Sequence, residues 1–241
     1  MVSAANSPPE KSPDEQSGSI ELKYQGRKTS RVNSEQRRRT ILEAALRIVV
    51  RDGVRGVRHR AVAKEASVPL SATTYYFKDI SDLITDTFTL FVEMGARKFK
   101  AYWEDSDCML KVAMGDLQPA DTDSRKLFAN RIADLAIEYV LVQLHEHRDY
   151  LIAERAFQQE CLRNENLRPI AFNHQRFFLD SLETFFTRIG SNQPDIDAEL
   201  FSSIILHAEY QGLIAGVEKE QTDRLKVMLK RQVELMLGIY C

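Results

Sequence analysis

Residues Ser67 to Phe77 read SVPLSATTYYF. On a wheel of about 100° per residue, Ser71, Thr74 and Tyr75 share one face, with Leu70 and Tyr76 flanking it. A face meant only for water would carry Lys, Glu and Gln. Small hydroxyls and tyrosines suit closer contact with an acceptor-rich surface. Hydroxyls hydrogen-bond phosphate oxygens and base edges, and methyl or apolar groups meet the thymine methyl. Arg58, Arg60 and Lys64 stand just upstream. These residue types point to nucleic-acid recognition rather than bond-making. The chain has no G-x-S-x-G elbow, phosphate loop, H-E-x-x-H or paired-cysteine motif, so neither catalysis nor a cofactor is expected. His145 and His147 point about 200° apart on a helix and cannot share one ion, so no metal is expected. Cys108, Cys161 and Cys241 are odd in number and widely spaced, which reads as reduced thiols.

The tyrosine segment needs a scaffold, and its own remaining residues begin one. Thr73 and Phe77 lie on the opposite side, where they can pack on preceding helices. Upstream, NSEQRRRTILEAALRIVVRDG has the apolar spacing of a helix of about five turns, with Asn33 and Gln36 placed as a capping box and Gly53 at the C′ position. Residues 58–66 follow as a short second helix, broken at Ser67-Val68-Pro69. Proline is tolerated in the first turn of a new helix, so 70–77 forms a third. Two short helices on a tight turn match a helix-turn-helix, whose second helix enters the major groove.

Charge supports the same division. The 241 residues carry a net charge of −2, yet residues 21–80 sum to +8 and residues 81–241 to −8. A basic head on an acidic body points to a polyanion partner, although a merely solvated basic surface has the same composition. Residues 1–32, rich in Ser, Pro, Glu and Gln, read as a disordered arm with a basic end, KYQGRKTSR. The sequence lacks both a run long and apolar enough to span a membrane and a signal-type apolar core, so a cytoplasmic protein with no membrane partner is expected.

Beyond residue 80 the pattern is helical throughout: 81–103, then a loop over 104–121, then 122–147, 149–164, 167–190, 195–217 and 222–239. The expected fold is all-α with about nine helices: a helix-turn-helix domain over 33–80 and a larger helical domain over 81–241. One stripe runs Phe201, Ile204, Ile205, Ala208, Gly212; a second runs Leu225, Leu229, Val233, Met236. Spacing leaves open whether they pair two copies or fill the chain's own core.

The segment ILEAALRIVVRDGVRGVRHRAVAKEASVPLSATTYYFKDISDLI resembles the DNA-binding domain of TetR-family transcription regulators over about 45 residues. The shared pattern is Ile41-Leu42-Glu43-Ala44-Ala45, Gly53, Val62-Ala63-Lys64-Glu65-Ala66-Ser67-Val68, Tyr75-Tyr76-Phe77 and Asp82-Leu83-Ile84. The resemblance implies that Arg60 touches the DNA backbone, that Leu70, Ser71, Thr74 and Tyr75 face bases and backbone, and that Tyr76 donates to a phosphate. Three positions depart from the pattern: Ser67 replaces a turn glycine, Thr74 an aromatic, and Ile80 a phosphate-contacting lysine for which Lys78 is the neighbouring substitute. The resemblance also implies a homodimer on a palindromic operator in double-stranded DNA. The two C-terminal helices would form the interface, through Phe201, Ile204, Ile205, Ala208, Gly212, Leu229 and Met236. A small-molecule effector would bind among the middle helices, with Trp103, His145, Phe157, Cys161, His174 and Phe177 as candidate lining residues. A repressor released by its effector is the leading expectation. An activator, a corepressor-dependent regulator and a helical interaction module are the alternatives.

Overall fold

The computed structural model describes residues 24–27, 32–216 and 218–239; the expected disorder of 1–32 lies largely outside them. Within the described residues the chain is built from nine α-helices and no strand. The first three are α1 (Val32–Asp52), α2 (His59–Glu65) and α3 (Leu70–Tyr76). Next come α4 (Ile80–Gly115), α5 (Thr122–Glu146) and α6 (Arg148–Cys161). The chain finishes with α7 (Arg168–Arg188), α8 (Pro194–Ala215) and α9 (Lys219–Met236).

The head forms as the apolar spacing requires. Ile41, Leu42, Ala45, Ile48 and Val49 of α1 are buried against Val62 of α2 and against Thr73 and Phe77 at α3. Helix α1 already includes Val32, so Asn33 lies in its first turn and not at the cap. Gly53, at φ 73°, closes the helix with its N–H on the Val49 carbonyl. Pro69 is the residue before α3, with extended ψ, and leaves the helix to start at Leu70. Asp79 caps α4 by accepting the Ser81 N–H at 2.9 Å.

Helix α4 runs 36 residues, well past the expected end near 103. The loop expected over 104–121 shrinks to the residues after Gly115, where Gly115 and Pro119 cluster. The stretch before them contains no proline, and Leu110, Ala113 and Met114 recur at helical spacing to pack on the body.

Two apolar cores result, and they meet at Tyr150. The first gathers α1–α3, the first turns of α4, and Ala153, Phe157 and Cys161 from α6. It therefore reaches well beyond residue 80. The second fills the space between α5, α7, α8, α9 and the far end of α4. In it α9 lies along α5 through Leu229 and Val233, both fully buried.

The turn between α2 and α3 holds the one non-glycine residue with positive φ among those described, Ser67 at 53°. An L side chain in this left-handed conformation costs about 1–2 kcal/mol, less than the rest of the fold supplies. Ser67→Gly is expected to raise stability by about 1 kcal/mol in chemical denaturation, since the released strain exceeds the added freedom of the unfolded chain.

Candidate nucleic-acid interface and internal cavity

Pinning Thr73 and Phe77 inside the head turns the other side of α3 outward. Leu70, Ser71, Thr74 and Tyr75 are all exposed, the last at 50 %. Exposed Arg58, Arg60 and Lys64 precede them, and exposed Lys78 follows. Thr74 Oγ1 lies 3.3–3.4 Å from the carbonyls of Leu70 and Ser71, long contacts that a better acceptor can replace. Tyr76 is placed differently. Its ring is buried at 6 %, edge-on to Tyr75, and its phenol is 2.9 Å from the Ser34 hydroxyl at the start of α1. Tyr76 thus braces the reading helix against α1. Arg38 is also withdrawn from the basic surface, buried in ion pairs with Glu35 and Asp86.

One contact set had no signal in the local spacing. Residues 24–27 lie across the junction of head and body. The N–H groups of Gln25 and Gly26 donate to the Asp86 carboxylate at 2.6 and 3.0 Å, and Arg38 donates to it at 3.1 Å. Tyr24 lies under the Arg38 guanidinium, and the Arg27 N–H bonds the Tyr76 carbonyl. The Arg27 guanidinium then sits 4.4 Å from the Tyr75 ring centre, on the reading helix itself. Gly26 is required there, because a Cβ would come within 2.7 Å of Phe77 and 2.9 Å of Asp86.

The body contains a cavity of about 280 Å³ lined by α4–α8. Phe99, Tyr139, Tyr150, Phe177 and Phe178 supply aromatic walls; Lys98, Gln143, Glu154, His174 and Glu209 are its principal polar groups. Gly95 makes room for Tyr150, whose hydroxyl occupies the place a Cβ would take. His174 Nε2 is 3.2 Å from Glu154 and 3.5 Å from the Tyr150 hydroxyl. Burial pushes the Glu209 carboxyl up to about 8, with repulsion from Glu154 adding to it and Arg155 opposing it.

Of the lining residues expected from sequence, His174 and Phe177 are in this wall. Trp103 lines a smaller apolar cavity of about 70 Å³ further along α4. The other three are corrected. His145 is exposed at the end of α5; Phe157 is fully buried, stacked on Phe88; Cys161 is in the head core. Helical phase decides this, because α6 turns Tyr150, Glu154 and Gln158 to the cavity and Phe157 and Cys161 to α1. Among the described residues no cluster could hold a metal ion, and no helix is long and apolar enough to cross a membrane.

Four residues of the expected pairing stripe face inward. Phe201, Ile205, Gly212 and Leu229 are buried within the chain: Phe201 on Phe186, Ile205 at the cavity, Gly212 against Leu144, Leu229 against α5. Ile204, Ala208 and Met236 are half-buried against the same core. The apolar residues left outside are Ile196, Leu200, Tyr210 and Ile214 along one face of α8, and Val227, Met228 and Leu235 on α9.

No family model matches the chain, and no curated protein matches it. Solved structures do. A TetR-family member from Streptomyces coelicolor A3 is 22 % identical, matches 82 % of this chain and 98 % of its own, and superposes with a TM-score of 0.57. A transcriptional regulator from Rhodococcus sp. Rha1 is 15 % identical over 83 % of this chain and 96 % of its own, at 0.56. The multidrug binding protein EbrR complexed with proflavin is 25 % identical over 81 % and 99 %, at 0.53.

Two stability measurements follow from these sites. Asp86→Ala takes from Arg38 the more buried of its two carboxylate partners and leaves two backbone N–H groups without theirs, and is expected to cost about 3–5 kcal/mol in denaturant unfolding. Glu209 binds its proton more tightly folded than unfolded. The unliganded protein should therefore lose stability as pH rises from about 4.5 to about 8, and thermal melts of Glu209→Gln should show a flatter profile across that window.

Proposed function

We infer that this chain, which has the fold of the TetR-family transcription regulators, is itself a member that represses transcription as a homodimer on a palindromic operator and is released by a small-molecule effector. The observation that carries the reading is the outward face of α3. Leu70, Ser71, Thr74 and Tyr75 are exposed and contiguous, with Arg58, Arg60, Lys64 and Lys78 around them. The face is narrow enough for the major groove, and its cations can reach phosphates on either side.

A seven-residue reading helix gives little affinity alone. Two heads on a symmetric dimer read half-sites about 34 Å apart or a multiple of that spacing. The exposed apolar faces of α8 and α9 are the surface offered for pairing. Isologous packing would cover Ile196, Leu200, Tyr210, Ile214, Val227 and Met228 together.

The effector would bind in the cavity lined by α4–α8. A multidrug binding protein of the same fold holds proflavin and ethidium, which supports a site for an aromatic molecule here. Phe88 lines this cavity and stacks on Phe157 in the head core at 4.4 Å; Phe91 stacks on Tyr150 at 4.3 Å. A ligand that moves Tyr150 or α6 therefore acts on helices that also hold α1. To lower operator affinity a hundredfold, it must bind the released state more tightly by about 2.7 kcal/mol.

Selection of bound duplexes from a random pool tests the reading, with one palindrome expected to dominate. No enrichment, or equal retention of all duplexes, would refute it. On the selected site, Lys78→Ala should weaken all sequences alike and reduce the salt slope by about 1. Ser71→Ala and Thr74→Ala should instead change which bases are preferred. Ile214→Asp combined with Val227→Asp should give folded monomers in sedimentation.

A further inference from the structure

Glu209 stands on α8 with 3 % of its surface exposed, faces the cavity, and has no hydrogen-bond partner among the described residues. Buried carboxyls normally acquire a donor or a cation, because an unpaired one costs several kcal/mol to ionise. The neighbouring charges do not supply it. Glu154 of α6 repels it and is itself bonded to His174 of α7. Arg155 attracts it, but its two terminal nitrogens are engaged by Gln158 and the Leu206 carbonyl. Lys98 of α4 lies 3.4 Å from His147 Nδ1 and does not pair with Glu209. Tyr139 of α5 and Tyr150 of α6 face it with phenols that burial holds in the neutral form. The space beside Glu209 is walled by ring faces that attract a cation.

We propose that the cavity selects a lipophilic organic cation carrying aromatic groups, whose positive charge is held by Glu209, with Glu154 adding to the field, between the rings of Tyr139, Tyr150, Phe177 and Phe178. The proposal rests on the cavity being the effector site. A neutral guest of the same shape would gain nothing from ionising Glu209, and an anionic one would be repelled by Glu154.

Binding then has a proton balance. In the empty protein near neutral pH the Glu209 carboxyl keeps its proton, since burial pushes it up to about 8. The incoming cation replaces that proton, which leaves to solvent, and the carboxylate remains as the counter-ion. One charge exchanges for another, so the site never holds an uncompensated carboxylate. Affinity for a cation should rise about tenfold per pH unit below the carboxyl's own value and level off above it.

Isothermal titration calorimetry with two nearly isosteric probes of opposite charge, tetraphenylphosphonium and tetraphenylborate, tests this on the full chain without DNA. The expected result is at least tenfold tighter binding of the phosphonium. Close to one proton should be released at pH 7, read from buffers of different ionisation enthalpy, and much less at pH 9. Glu209→Gln should lose tenfold or more of the phosphonium affinity at pH 9 and most of the proton release. Equal or tighter binding of the borate would overturn the charge assignment while leaving the cavity as a ligand site, and so would an unchanged Glu209→Gln variant. Binding of neither probe would remove the effector reading of the cavity, and the cation with it.

Discussion

The buried carboxylate of Asp86 is the interaction on which the arrangement of head and body depends. It belongs to α4, yet its partners are the backbone of the arm at Gln25 and Gly26 and the side chain of Arg38 in α1. Four groups from three separated segments converge at a carboxylate with no exposed surface, where each lost partner leaves another group unsatisfied. The reading helix inherits this arrangement. Arg27 lies on Tyr75, the Arg27 N–H holds the end of α3, and Tyr76 is tied to Ser34 at the start of α1. The orientation of the reading face is thus set from behind, by groups that would never touch DNA.

The same construction explains how a cavity in the body can speak to the head. Helices α4 and α6 each contribute to both cores. Phe88 and Phe91 of α4, both in the head core, stack on Phe157 and Tyr150 of α6, and Phe88 and Tyr150 also line the cavity. Close-packed rings do not compress, so a guest larger than the space beside Tyr150 must displace a helix or be refused. The head has no flexible linker to absorb such a shift. Asp79 starts α4 two residues after Phe77, and Phe77 is itself fully buried in the head.

The body shows why an apolar stripe does not by itself name the neighbour that covers it. Helix α8 carries apolar residues on two faces. Gly212 and Ala208 look suited to a close approach between copies, but Gly212 instead admits Leu144 of α5. The outward face through Leu200, Tyr210 and Ile214 is interleaved with Ser203 and His207 and so looks weaker in sequence. Glu209 was hidden for the same reason: a glutamate on a long helix is ordinarily solvated, and only the placement of α5, α6 and α7 around it makes it a buried acid.

Short-range spacing was sufficient for the helices of the head. The apolar period of α1, the break at Ser67-Val68-Pro69 and the capping aspartate before α4 are local properties, readable without knowing what lies across the fold. The outward Ser71, Thr74 and Tyr75 and the inward Thr73 and Phe77 followed from them, because a short helix with one apolar edge has only one way to lie on its partners. Folding in three dimensions alone decided the docking of residues 24–27, the burial of Tyr76 and Arg38, and the identity of the cavity wall. Each of these depends on contacts between segments some twenty to over a hundred residues apart, and a helical period records which sides of a helix are apolar but not which helix will cover them.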